Sequence, residues 1–255
     1  MMRISKTSKR VVRRLLSLPE TTEEFGDDKA IEFAWNNDNA WLLAVIFNQS
    51  VPYERALRAP SLLKRRLGHL NMRRIAGMPV KDLQRKIRGE GDGALHRYWR
   101  TTGRWVRAAA RKVTEEYAGD AARIWRPCRT AAELIARLCE FDGISLKKAH
   151  WAARVLNDCD ESVELTGWSA INVAVDVHVR RVWCRTGLTS DSSTAAIMRR
   201  ASELYPRYPG RLDEPSWQIG VRYCRPTSPL CSEYPLHRDC PRIGVTRPRH
   251  GAHRA

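Results

Sequence analysis

Apolar residues recur at helical spacing through most of the chain, and no series of alternating stretches reads as β-hairpins. Residues 30–47 form a strongly apolar helical stretch, with Trp35, Leu42, Val45 and Ile46 as core, ending at Asn48-Gln49-Ser50 before Pro52. Residues 53–67 carry Ala56, Leu57, Leu63 and Leu67 on one face and arginines on the other. Residues 80–87 predict a short helix, and residues 95–117 a long one with Trp99, Val106 and Val113 spaced by sevens. Thr130 and Glu133 make a capping box for a helix over 130–140, which Gly143 stops. Residues 146–156 place Ala149, Ala153 and Leu156 on one stripe, and 177–185, 192–205 and 214–223 are further helices. Residues 173–175 have strand propensity but are too short to anchor a sheet. Many helices joined by short loops make the class all-α.

The 255 residues hold 45 Lys+Arg against 28 Asp+Glu, a formal net charge of +17. Such a charge repels itself unless a polyanion shares the surface, and nucleic acid is the default partner. Solvation by arginine alone is the plainer account. The longest apolar run, residues 40–47, is far short of the roughly 20 residues that span a bilayer. The basic N-terminus has no continuous apolar core of the signal-peptide kind. The expectation is a cytoplasmic, nucleoid-associated monomer with no membrane partner. Gly89, Gly91 and Gly93 read as a turn rather than a phosphate loop, because no strand precedes them.

The expected organisation is a basic arm and linker over 1–29, with an acidic connector at 21–28. A helical core spans 30–223, a cysteine loop 224–240 and a basic tail 241–255. Cys128, Cys139, Cys159 and Cys184 are scattered, but Cys224, Cys231 and Cys240 cluster among prolines and read as a metal site.

Three segments stand out in order. The first is helix, turn, helix over 130–156, with the turn Phe141-Asp142-Gly143-Ile144-Ser145-Leu146-Lys147. The second is Ala174-Val175-Asp176-Val177-His178. The third is Cys224-x6-Cys231-x8-Cys240. In this order they resemble the helix-hairpin-helix DNA glycosylase superfamily, and most closely its endonuclease III branch, over about residues 40–240. The resemblance implies two helical lobes with a cleft between them, double-stranded DNA as partner, and excision of a flipped-out base.

A glycine turn exposes backbone N–H groups at the start of the second helix, where Gly143, Ile144 and Ser145 would bind a DNA phosphate. Ser145 stands where the family has a second glycine, and Ser tolerates left-handed angles poorly, so a weakened hairpin is expected. The resemblance makes Lys147 the Schiff-base nucleophile. The plainer reading is a solvated first-turn lysine, like Lys148 beside it. Asp176 is at once a helix N-cap and, by resemblance, the catalytic carboxylate. His178 either orients this region or is a satisfied structural histidine. Gln49 either fills the gap left by the flipped base or merely ends a helix.

The family's C-x6-C-x2-C-x5-C pattern holds a four-iron, four-sulfur cluster. Cys224, Cys231 and Cys240 match three of its positions, and Tyr234 falls on the fourth. The readings left open are an incomplete cluster with Tyr234 or His237 as extra ligand, a Cys3His zinc site, or a lost cluster. The functional expectation is a base-excision glycosylase with AP-lyase activity, on a modified pyrimidine. A monofunctional glycosylase, a non-catalytic DNA-binding module and a protein adaptor are the alternatives. The acidic connection at 157–167 is either a substrate-contacting insertion or a passive loop.

Overall fold

The computed structural model describes residues 4–19, 28–91 and 93–245. Residues 21–27 of the expected acidic connector and the tail beyond Val245 lie outside the described residues. The helices run α1 (Lys6–Leu16), α2 (Lys29–Trp35), α3 (Asp38–Phe47), α4 (Tyr53–Leu67), α5 (Met72–Gly77), α6 (Val80–Arg88), α7 (Trp99–Glu116), α8 (Ala122–Trp125), α9 (Ala131–Cys139), α10 (Leu146–Cys159), α11 (Val177–Arg185), α12 (Thr194–Leu204) and α13 (Asp213–Arg222). Short 3-10 turns occupy Trp168–Ala170 and Pro209–Leu212. The described residues contain no strand, only an isolated bridge between Thr130 and Thr166.

The stretch 30–47 is two helices, broken at Asn36-Asn37. The Asn37 side chain accepts from the Ala40 N–H and caps α3, so local hydrogen bonding overrides the apolar periodicity. The short helices α5 and α8 carried too little periodicity to be read from sequence.

The helices form two compact units, residues 21–167 and residues 1–20 with 168–255. In the first, here the hairpin unit, every residue of α3 from Ala40 to Phe47 is buried. An all-round apolar helix can only sit inside a protein. Trp41 stacks on Trp151 at 6.3 Å and meets Trp125 edge-on at 5.4 Å. The second, here the terminal unit, joins both ends of the chain. Val11, Val12 and Leu15 of α1 share its core with Val179, Val182, Trp183, Ile197 and Ile219. Burying each such side chain contributes about 1.5–3 kcal/mol, so the basic segment is a core element with a charged outer face.

Candidate functional site

In the hairpin unit, α9 and α10 are joined by the turn the sequence singled out. Thr130 caps α9 by accepting from the Glu133 N–H at 3.2 Å. Gly143 has φ +85, and a Cβ there would lie 2.7 Å from the Trp105 ring. Only glycine satisfies both conditions. The Ile144 N–H donates to the Phe141 carbonyl at 3.0 Å, and Ile144 is buried. Ser145 has φ −78 and ψ 165, ordinary extended backbone. Ser145 therefore takes its place without backbone strain. The Ser145 side chain makes no capping bond, and Leu146 and Lys147 are exposed. The first-turn N–H groups of α10 thus face solvent without a side-chain cap, an arrangement that favours an anion.

The two lysines differ sharply. Lys147 is exposed, with its amine on the solvent side of the first turn. Lys148 is 2% exposed, which corrects its reading as a second solvated lysine. Its amine donates to the Gly143 carbonyl at 2.8 Å and the Ile46 carbonyl at 3.0 Å. Burial, and then the charge of Lys147, push its amine down to about 7. The Ile46 carbonyl lies in the last turn of α3, where no helical donor follows. Lys148 therefore ties the end of α3 to the hairpin.

Gln49 follows that helix end, and Ser50 after it has φ +56. The Gln49 carbonyl is held by His96, which is fully buried. The Tyr98 N–H can only donate, so His96 Nδ1 accepts it at 3.0 Å, with the Thr102 hydroxyl also at 3.0 Å. This places the ring proton on Nε2, which donates to the Gln49 carbonyl at 3.0 Å. Burial pushes the His96 imidazole below its ordinary value. Gln49, the hairpin turn and Lys147 are thus gathered at one end of the hairpin unit by two buried side chains, His96 and Lys148. The glycine turn is also braced: Arg66 donates to the Gly93 carbonyl at 2.6 Å, and Arg55 to that of Ala94 at 2.7 Å. The acidic connection is anchored rather than loose. Residues 157–159 continue α10, Val163 and Leu165 are buried, and the Thr166 N–H donates to the Arg129 carbonyl.

In the terminal unit, residues 171–175 lead without regular structure into α11. The buried Asp213 accepts from the Ala174 N–H at 2.8 Å, and the Gly210 N–H donates to the Ile171 carbonyl at 2.8 Å. Asp176 is the N-cap of α11, one carboxylate oxygen accepting from the His178 and Val179 N–H groups, each at 2.8 Å. The other oxygen is left for other work. His178 packs against Gly220, where a Cβ would lie 2.7 Å from it, and its Nδ1 accepts from Arg181 at 3.0 Å. It is a satisfied structural side chain.

The cysteine loop sits in the same unit. Among the described residues, no group of three or more His, Cys, Asp and Glu side chains is gathered as a metal shell. Cys224 is buried, and Cys231 and Cys240 are half-buried. Tyr234 is 4% exposed, and its hydroxyl is buried beside the Cys240 thiol. Burial and the nearby Cys240, Cys224 and Cys231 push that phenol far up. A buried phenol thus stands among the three thiols. His237 is exposed, with Nδ1 beside the Tyr234 carbonyl at 3.1 Å. Neither a four-iron cluster nor Cys3His zinc fits this arrangement.

Helices alone, two of them joined by a glycine turn and a third capped by an aspartate, make up an all-α fold that solved structures share. Solved structures bear the fold out. A trapped endonuclease III–DNA covalent intermediate, an estranged-adenine complex, matches with a TM-score of 0.61 at 18% identity, over 92% of this chain and 96% of that one. A non-covalent endonuclease III–DNA complex gives 0.61 and 18%, over 92% and 95%. A thermostable thymine-DNA glycosylase gives 0.61 and 15%, over 92% and 96%. At such identities the likeness is one of fold. No family model matches the chain, and no curated protein matches its sequence.

Sequence reasoning missed His96, Lys148, Trp105 and Asp213. Each acts through a partner far along the chain. A Lys-Lys pair on a helix with an otherwise apolar stripe was the one legible hint, for Lys148.

Proposed function

We propose that the protein is a DNA base-excision enzyme, a glycosylase with AP-lyase activity that acts on a base flipped out of duplex DNA. The observation that carries this reading is the exposed Lys147 amine beside the uncapped amides of α10. It supplies a nucleophile next to a ready phosphate site. That one matched structure is a trapped covalent endonuclease III–DNA intermediate supports the reading.

The open amides of Ser145, Leu146 and Lys147 would take a phosphate oxygen without regard to sequence, fixing the register on the duplex. Gln49, held by its carbonyl, would fill the gap left by the extruded base. The neutral Lys147 amine would attack the sugar C1′ as the glycosidic bond breaks and the base leaves with a proton. The adduct opens to a protonated imine as O4′ takes a proton from solvent. Loss of a C2′ proton then expels the 3′ phosphate by β-elimination. The free oxygen of Asp176 would stabilise positive charge developing on the sugar and accept a proton in these steps. The proposed substrate is a modified pyrimidine.

Borohydride trapping on duplex DNA with an abasic site tests this. A covalent adduct that Lys147→Ala abolishes is expected. Tight binding with no adduct would leave a monofunctional glycosylase or a binding module. A panel of oxidised and bulkier modified pyrimidines, opposite normal bases, then tests the substrate class.

A further inference from the structure

The family pattern places a thiolate at residue 234, and this chain places a phenol there. A tyrosine side chain is several times the volume of a cysteine thiol, and its ring occupies the interior of the loop. Tyr234 packs against Tyr223, with ring centroids 6.2 Å apart, and belongs to the same core as Cys224, Leu236, Val182 and Trp183. Its position is continuous with the hydrophobic core, not with the surface.

The loop is also held by hydrogen bonds to α11. Arg181 of α11 donates to the carbonyls of Cys224 and Gly220, the latter at 2.8 Å. Arg185 of α11 donates to the carbonyls of Arg225 at 2.6 Å and Pro226 at 2.9 Å. The far side of the loop closes on the same helix: the Ile243 N–H donates to the Arg185 carbonyl at 3.0 Å. Within the loop, the Leu230 N–H donates to the Tyr223 carbonyl and the Cys240 N–H to that of Leu236. Both ends of the loop are therefore fixed by backbone and guanidinium hydrogen bonds, and its middle is filled by an aromatic ring.

We infer that Tyr234 has taken the place of the iron–sulfur cluster, so that the residue 224–240 loop folds without metal and braces α11 through Tyr234, Arg181 and Arg185. Two of the thiols then serve the brace: Cys224 Sγ accepts from Arg185 at 3.6 Å, and Cys240 Sγ donates to the Arg185 carbonyl at 3.5 Å. The brace has a functional destination, because α11 is the helix that Asp176 caps.

The test uses the full chain and needs no activity assay. Iron, acid-labile sulfide and zinc are measured in the parent and in Tyr234→Cys, as purified and after anaerobic incubation with ferrous iron and sulfide. The parent is expected to hold less than a tenth of an equivalent of each metal, and Tyr234→Cys, with four thiols at the family spacing, to take up iron and sulfide and gain visible absorbance. Stoichiometric iron or zinc in the parent overturns the inference. A Tyr234→Cys chain that gains nothing overturns the assignment of Tyr234 to the cluster's place. Tyr234→Phe supplies a check independent of cluster assembly. Removing a hydroxyl whose one neighbour is a weakly bonding thiol should change the thermal midpoint by no more than a few degrees. A lower midpoint together with lost metal would make Tyr234 a ligand and sink the inference.

Discussion

The amine of Lys148 donates to the carbonyl of Ile46, 102 residues earlier, at 3.0 Å. With its second bond to Gly143, this one side chain joins the end of α3, and so Gln49, to the turn that presents Lys147. Lys148→Met should lower stability by about 2 kcal/mol. Burial holds this amine close to its neutral form, so each lost bond is worth roughly 0.5–1.5 kcal/mol, and each leaves a buried carbonyl unpaired. Denaturant midpoints measure it. The variant should still form the borohydride adduct when folded. An adduct that survives Lys147→Ala but not Lys148→Met would move the nucleophile to Lys148.

Gly143→Ala meets two obstacles, the left-handed backbone and the Trp105 ring 2.7 Å from the new Cβ. A cost of about 2–3 kcal/mol is expected, of which roughly 1 kcal/mol is the φ penalty. Combining it with Trp105→Ala separates the terms. The double variant should be more stable than the sum of the two single changes, because the clash is removed once. Additive losses would show that the ring does not define the turn.

The elements were largely legible in the sequence because their signals are local. The stretches 53–67 and 177–185 coincide with α4 and α11, and Thr130 caps α9 as its spacing with Glu133 implies. Asp176 was legible twice over, since a cap and a catalytic carboxylate ask for the same residue. What stayed hidden was tertiary. Ser145 looked costly until the backbone placed it in extended space. Lys148 looked solvated until α3 arrived over it. Nothing within a few residues of His96 hints that its partner is the carbonyl of Gln49, 47 positions away.

His96 makes stability depend on pH. Its Nδ1 must stay unprotonated to accept from the Tyr98 N–H, and burial pushes its folded value below the ordinary one. Lys148, Arg55 and Arg97 add charge of the same sign. Below about 6.5 the unfolded chain takes up a proton that the folded chain refuses, so stability falls as pH drops through that range. Burial also lowers His150 and His69, so the parent alone cannot assign the effect. Comparing His96→Phe with the parent by thermal unfolding at pH 7.5 and pH 5 isolates it. The variant should lose less stability between the two. Equal losses would mean that the imidazole does not hold the Gln49 carbonyl.

Asp176 separates structure from chemistry through the choice of substitution. Asn caps a helix nearly as well as Asp, so Asp176→Asn should keep the bonds to the His178 and Val179 N–H groups and stay within about 0.5 kcal/mol of the parent. Asp176→Ala should lose about 1 kcal/mol as the cap is removed. If the carboxylate serves only as a cap, base release should follow stability, nearly intact in the Asn variant and weaker in the Ala variant. If its charge stabilises the sugar cation, both variants should fall together by two or more orders of magnitude on a proven substrate, despite their different stabilities. Single-turnover base release, measured beside thermal unfolding on the same preparations, decides between the two.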